Sequence, residues 1–134
     1  MSARIIVHSL EHALAALAAA EERKIPVTLA SAPGAGAAAG PRWFLGVLAE
    51  ARRAHSGAAS DCVIDCADEP GTAMSALRAG AKRVRFTGGE AARQKLAAIA
   101  AELGAEIESG APVVALDLLN SRDPLAACRV YLGR

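Results

Sequence analysis

Short β-branched runs alternating with amphipathic helical segments predict an α/β fold on a mostly parallel sheet. Apolar runs of strand length stand at Ile5-Ile6-Val7, Val27-Thr28-Leu29, Cys62-Val63-Ile64, Val84 to Phe86 and around Ile107. Helix-length segments fill the gaps, two of them closed by Gly80 and Gly104, and glycine takes the left-handed stop at least cost. Gaps of that length are crossovers and not hairpins, so the strands should be parallel. Five such strands in 134 residues suit a single three-layer α/β/α domain, residues 1–134, with a flavodoxin-like sheet. The competing architecture is a (βα) half-barrel completed by a second copy, since four βα units are also half of a closed barrel.

The elements follow in order. Residues 4–8 read as the first strand, and Ser9 offers an N-cap to a helix over 10–24 whose stripe is Leu10, Leu14 and Leu17. Val27 to Ala30 is the second strand, with Pro26 just ahead of it. An alanine-glycine loop then runs to Gly40-Pro41, where a second helix begins, with Trp43, Val47 and Ala51 on its stripe and Phe44 and Leu48 beside them. Residues 61–67 form a central strand, and Asp68 is placed to cap a helix over 69–79. Residues 82–86 are the fourth strand, Thr87-Gly88-Gly89 a tight turn, and a fourth helix carries Ala92, Leu96, Ile99 and Leu103. A fifth strand spans 105–108. An extended piece at 113–116 and a helix from Asp123 to Leu132 complete the chain. Arg83 and Arg85 alternate along one strand as Glu106 and Glu108 do along the next, so the two strands can pair opposite charges.

Composition narrows the function. Fifteen basic and 14 acidic residues leave a net charge of +1 with no basic stripe, which speaks against nucleic acid. No run of about 18 apolar residues suggests a membrane span. The N-terminus shows no signal-peptide pattern, and the expected location is cytoplasmic. Three cysteines, Cys62, Cys66 and Cys128, imply no disulfide framework in such a compartment. Cys62 and Cys66 should lie on one strand, reduced, separate and buried.

Ligands of parallel α/β sheets bind at the carboxyl ends of the strands, which directs the search for chemistry. His8 follows the first strand and is a candidate general acid or base. Asp65 ends the third strand, where an unpaired buried carboxylate would be costly, and is the second catalytic candidate. Asp68 lies close behind it. Thr87, Gly88 and Gly89 place two glycines at a strand end and at a helix start, a suitable form for an oxyanion. Gly34 and Gly36 belong to a glycine loop between strand and helix, although their spacing matches neither the dinucleotide nor the Walker pattern. Asp65, Pro70-Gly71 and Thr87 sit as in phosphoacceptor receiver domains, but His8-Ser9 stands where the receiver acidic pair belongs and Glu108-Ser109-Gly110 where its lysine belongs. His8 and His12 straddle a strand-to-helix boundary, so no metal site is expected. No cofactor is implied.

Two functional expectations follow. One is a small domain that binds a phosphate- or carboxylate-bearing ligand at its strand ends, with lyase or isomerase as the reaction class. The other is a non-catalytic regulatory or assembly module acting through protein contacts. Whether the chain is an enzyme is left open between them. Self-association is expected in either case, because adjacent Trp43 and Phe44 point about 100° apart on a helix and one ring must face outward.

Overall fold

The computed structural model describes residues 2–35 and 40–133. The elements in order are β1 (Ala3–Ile6), α1 (Leu10–Arg23), β2 (Val27–Ala30), α2 (Pro41–Ala54), β3 (Ser60–Asp65), α3 (Pro70–Arg78), β4 (Arg83–Arg85), α4 (Glu90–Glu102), β5 (Glu106–Glu108), β6 (Leu116–Asp117) and α5 (Pro124–Leu132). The α/β class holds, with a parallel sheet flanked by helices. Its strand order is β5-β4-β3-β2-β1-β6. That makes six strands where five were expected, the sixth being the extended piece before the last helix. A flavodoxin-like order would set β1 between β2 and β3. Here β1 pairs in parallel with β2 and with β6 instead.

The chain packs as two compact units, the first of residues Met1–Ala30, Gly46–Asp61 and Val113–Arg134, the second of Ser31–Leu45 and Cys62–Pro112.

In the first unit, β1 is extended beyond its ladder by Val7 donating to the Ala30 carbonyl and Leu118 donating to that of Ile6. Ser9 caps α1 as expected, its Oγ accepting from the His12 N–H at 3.1 Å. The buried face of α1 is not the leucine stripe. It consists of Ala13, Ala16, Leu17, Ala19 and Ala20, while Leu10 is exposed. Small side chains let a helix approach its neighbours closely, so of the expected stripe only Leu17 is fully buried, Leu14 being half-buried and Leu10 exposed. A two-pronged ion pair from Arg129 to Glu22 ties α5 to α1. Asp123 caps α5 by accepting from Ala126.

In the second unit, β4 stands between β3 and β5, all parallel. Val63, Ile64, Val84 and Phe86 fill its core together with Ala73, Ala76 and Leu77 of α3 and Leu96 and Ala100 of α4. The register sets Arg83 opposite Glu106 and Arg85 opposite Glu108. Their side chains meet at 2.8 and 3.2 Å, as the charge alternation in the sequence implied.

The N-cap of α3 is Glu69 and not Asp68, and Glu69 makes no side-chain capping bond. Pro70 at the first helical position has no N–H to leave unsatisfied and a φ already suited to the helix. On α2 the buried positions are Phe44, Leu48 and Ala51, and Trp43 is 47% exposed, so the stripe keeps Ala51 and is centred on Phe44 and Leu48 where Trp43 and Val47 were expected to lead. All three cysteines are buried and none is in a disulfide, as expected. Burial pushes the Cys66 thiol up to about 12, with nearby Asp65 and Glu69 adding to it, and burial pushes Cys128 up to about 11.

Candidate functional site

Polar side chains collect at strand ends in both units, and each cluster has its own chemistry.

In the first unit the cluster is built on His8, just past β1. Its Nε2 lies 2.7 Å from Oδ1 of Asp117, the last residue of β6. Asp117 also accepts from the Leu119 N–H at 2.9 Å, a local turn that fixes the carboxylate. The His8 main-chain N–H donates to Nδ1 of His12 at 3.0 Å, and the two rings meet edge to face with centroids 5.7 Å apart. Burial alone would raise the Asp117 carboxyl. The His8 hydrogen bond, the Leu119 N–H and the charges of His8 and His12 outweigh it, and the net shift is downward. His12 is also lowered, first by burial and then by His8, with Glu11 and Asp117 opposing. His8 was legible as a strand-end histidine. Asp117 was missed because the extended piece was expected to stop at Leu116, one residue short of it.

In the second unit Asp65 ends β3. Its Oδ1 accepts from the N–H groups of Ala67, at 2.9 Å, and Gly34, at 3.2 Å, and its own N–H donates to Ser31 Oγ at 2.8 Å. It thereby holds two loops, one containing Ala67 at φ 50° and the other Gly34 at φ 73°. Oδ2 faces Arg85 Nε at 3.8 Å. Arg85 is itself buried, donating to Glu108 at 3.2 Å and to the Gly110 carbonyl at 2.5 Å. A buried guanidinium needs such partners on every side, and here two carboxylates and a carbonyl supply them.

Beyond β4, the Thr87 N–H donates to the Ala67 carbonyl at 2.8 Å while the residue is exposed. Gly88 is sterically required. A Cβ there would stand 2.4 Å from Cζ of Phe86, whose ring is buried, and 3.1 Å from the Asp68 carbonyl. Gly89 is the N-cap of α4 and supplies no side-chain cap. The first-turn acid, Glu90, bonds to Arg93 and reaches Gln94 at 3.4 Å. That bond to Arg93 is the main cause that holds the Glu90 carboxyl below its usual range. Asp68 is exposed, and Gly36 lies outside the described residues.

Asp65, Asp68, Thr87, Gly88, Gly89 and Gly34 therefore all fall in the second unit, and His8 falls in the first. Among the described residues no group of three or more His, Cys, Asp or Glu is arranged to hold a metal ion. Among them, too, no helix is long and apolar enough to cross a membrane.

No protein-family profile matches the chain. No curated protein matches it either. Among solved structures it is similar to a crystal structure from Coccidioides immitis, described as that of a candidate fructose-1,6-bisphosphate aldolase, with a TM-score of 0.67 and 24% sequence identity. The match covers 81% of this chain and 40% of that one, so the chain spans well under half the length of its structural neighbour, and what the two share is an α/β fold.

Proposed function

We propose that the chain binds a small phosphate- or carboxylate-bearing ligand at the carboxyl ends of its strands and serves lyase or isomerase chemistry on it. The observation that carries this reading is the start of α4. Its first turn follows a strand end through two glycines, has no side-chain cap, and has its own acid drawn off to Arg93. N–H groups so left face outward with the positive end of the helix dipole behind them, which favours an anion. Thr87, Gly88 and Gly89 are the proposed grip, with Asp68 and Gly34 as further ligand contacts, and Gly36, outside the described residues, as a candidate from its sequence alone. Asp65 holds Gly34 in the glycine loop, and His8, in the other unit, is the candidate acid–base residue of its own cluster. The structural neighbour's description names an enzyme of a phosphorylated sugar, which agrees with a phosphate-bearing ligand.

The test exploits Gly89, where an added Cβ meets nothing within 4 Å. Gly89→Asp places a carboxylate on the same N–H groups and should stabilise the protein by a few tenths of a kcal/mol as a better cap. It should also abolish the rise in melting temperature that inorganic phosphate and fructose 1,6-bisphosphate give the wild type. A wild type that melts at the same temperature with and without both anions ends this reading.

A second reading, a non-catalytic assembly module, is favoured by one observation: Trp43 is about half exposed on α2. Large exposed aromatics are enriched at protein contacts. Light scattering of Trp43→Ser against wild type tests it, since a shared loss of mass with dilution would exclude Trp43 as the contact.

A further inference from the structure

The hydrogen bonds around His8 and His12 assign complementary roles to the two rings. An ionised Asp117 can only accept, so the His8 proton facing it sits on Nε2, and in the neutral ring Nδ1 carries the lone pair. The His8 main-chain N–H can only donate, so Nδ1 of His12 carries a lone pair and the proton of that ring is on Nε2. Neither His8 Nδ1 nor His12 Nε2 has a hydrogen-bond partner among the described residues, and no side-chain nitrogen there is both buried and unpaired. Both atoms therefore reach solvent. One exposed nitrogen is a base and the other a donor, on rings 5.7 Å apart.

We propose that His8 and His12 form an acid–base pair for enolisation of a small α-hydroxycarbonyl compound, with Asp117 as the residue that positions His8. His12 Nε2–H donates to the carbonyl oxygen. His8 Nδ1 takes the proton from the adjacent carbon, whose C–H electron pair becomes the enediol double bond as the carbonyl π pair moves onto oxygen. The imidazolium of His8, stabilised by Asp117, then returns the proton to the same carbon, which is exchange, or to the former carbonyl carbon, in which case His12 Nε2 gives its proton to the former carbonyl oxygen and recovers one from the hydroxyl of the first carbon, so nothing is consumed and the net change is an isomerisation. A neutral imidazole suits the donor role, because a charged one would give up its proton outright. The depressed titration of His12 agrees with this. The proposal rests on the reaction class given above for His8 and names its substrate class.

The test is deuterium exchange into the α-carbon of hydroxyacetone and of hydroxyacetone phosphate in deuterium oxide, followed by proton NMR. The full chain should catalyse exchange, and His8→Gln and His12→Gln should each lower it by about a hundredfold or more while their circular dichroism is unchanged. Asp117→Asn should lower exchange and let the neutral His8 ring populate the Nδ1-protonated tautomer in nitrogen-15 spectra of that variant, a readout that a purely structural aspartate would leave in place. Nitrogen-15 spectra should show both neutral rings protonated at Nε2; protonation of His8 at Nδ1 overturns the proposal. Melting-temperature gain with hydroxyacetone phosphate but no exchange on either compound also overturns it and leaves the anion reading standing. Equal exchange on both compounds, with no gain from phosphate, keeps the pair and removes the anion site.

Discussion

At the scale of single residues, the structure separates side chains that hold the backbone from those free to act. Asp65 belongs to the first group, with two loop N–H groups on one oxygen and Arg85 near the other. Asp65→Asn keeps an acceptor but removes the charge facing a buried guanidinium, so it should cost about 1–3 kcal/mol in urea unfolding. A variant as stable as wild type would make the loop-holding role untenable. Gly88 is fixed by a neighbour and not by its own dihedral angles. Gly88→Ala should lose about 1–3 kcal/mol by overpacking against Phe86. Phe86→Leu added to it should recover part of that loss, whereas a ligand-binding role alone for Gly88 predicts no such rescue in thermal melts.

At the scale of elements, α2 shows what was and was not legible. The sequence marked the helix, its proline start and the fact that Trp43 and Phe44 could not both be inside, but it left open which ring faces outward. Either phase offered two or three apolar residues, and only the packing of Phe44, Leu48 and Ala51 chooses between them. Phe44→Ala should therefore cost about 3–5 kcal/mol, and Trp43→Ala under about 0.5 kcal/mol, by chemical denaturation. The wild-type tryptophan emission should already be red-shifted before unfolding. On α1 the buried alanines were passed over for the leucines for a related reason: periodicity weighs large residues, while a helix that packs closely buries small ones. Strand existence was read well, because β-branched runs bounded by glycine and charge carry their own signal. Strand order was not, since it depends on which edges meet across the chain, and no local pattern records that β1 takes β6 as its second neighbour. The same limit hid Asp117 from His8, two residues far apart in sequence.

At the scale of the whole molecule, the histidine cluster gives stability a pH dependence with a definite sign. A folded state that holds His12 below the ordinary histidine value of 6.5 binds fewer protons there than the unfolded chain does. Stability should thus be fully present above pH 6.5 and fall as the pH drops below it. Asp117 acts in the same direction further down, its contribution being present above the ordinary value of 3.8 and lost as pH falls through its lowered one. Urea midpoints taken from pH 7.5 to 5 should show the first decline. His12→Gln should flatten it, and a midpoint that instead rises on acidification would show the His12 ring to be charged in the folded protein.

The pairing of β6 with β1 also orders events in time. Residues 62–112 run β3, α3, β4, α4 and β5 in unbroken succession, so each strand meets a partner made only moments before by the ribosome. The ladder between Ile5 and Leu116 must instead wait for the far end of the chain. Contacts between near neighbours close quickly and distant ones slowly. The nascent chain should accordingly guard an early-folded middle while Ile5 and Ile6 stay unpaired on one side until Leu116 and Asp117 arrive. The histidine cluster, which needs Asp117 beside His8, is then among the last parts of the protein to exist.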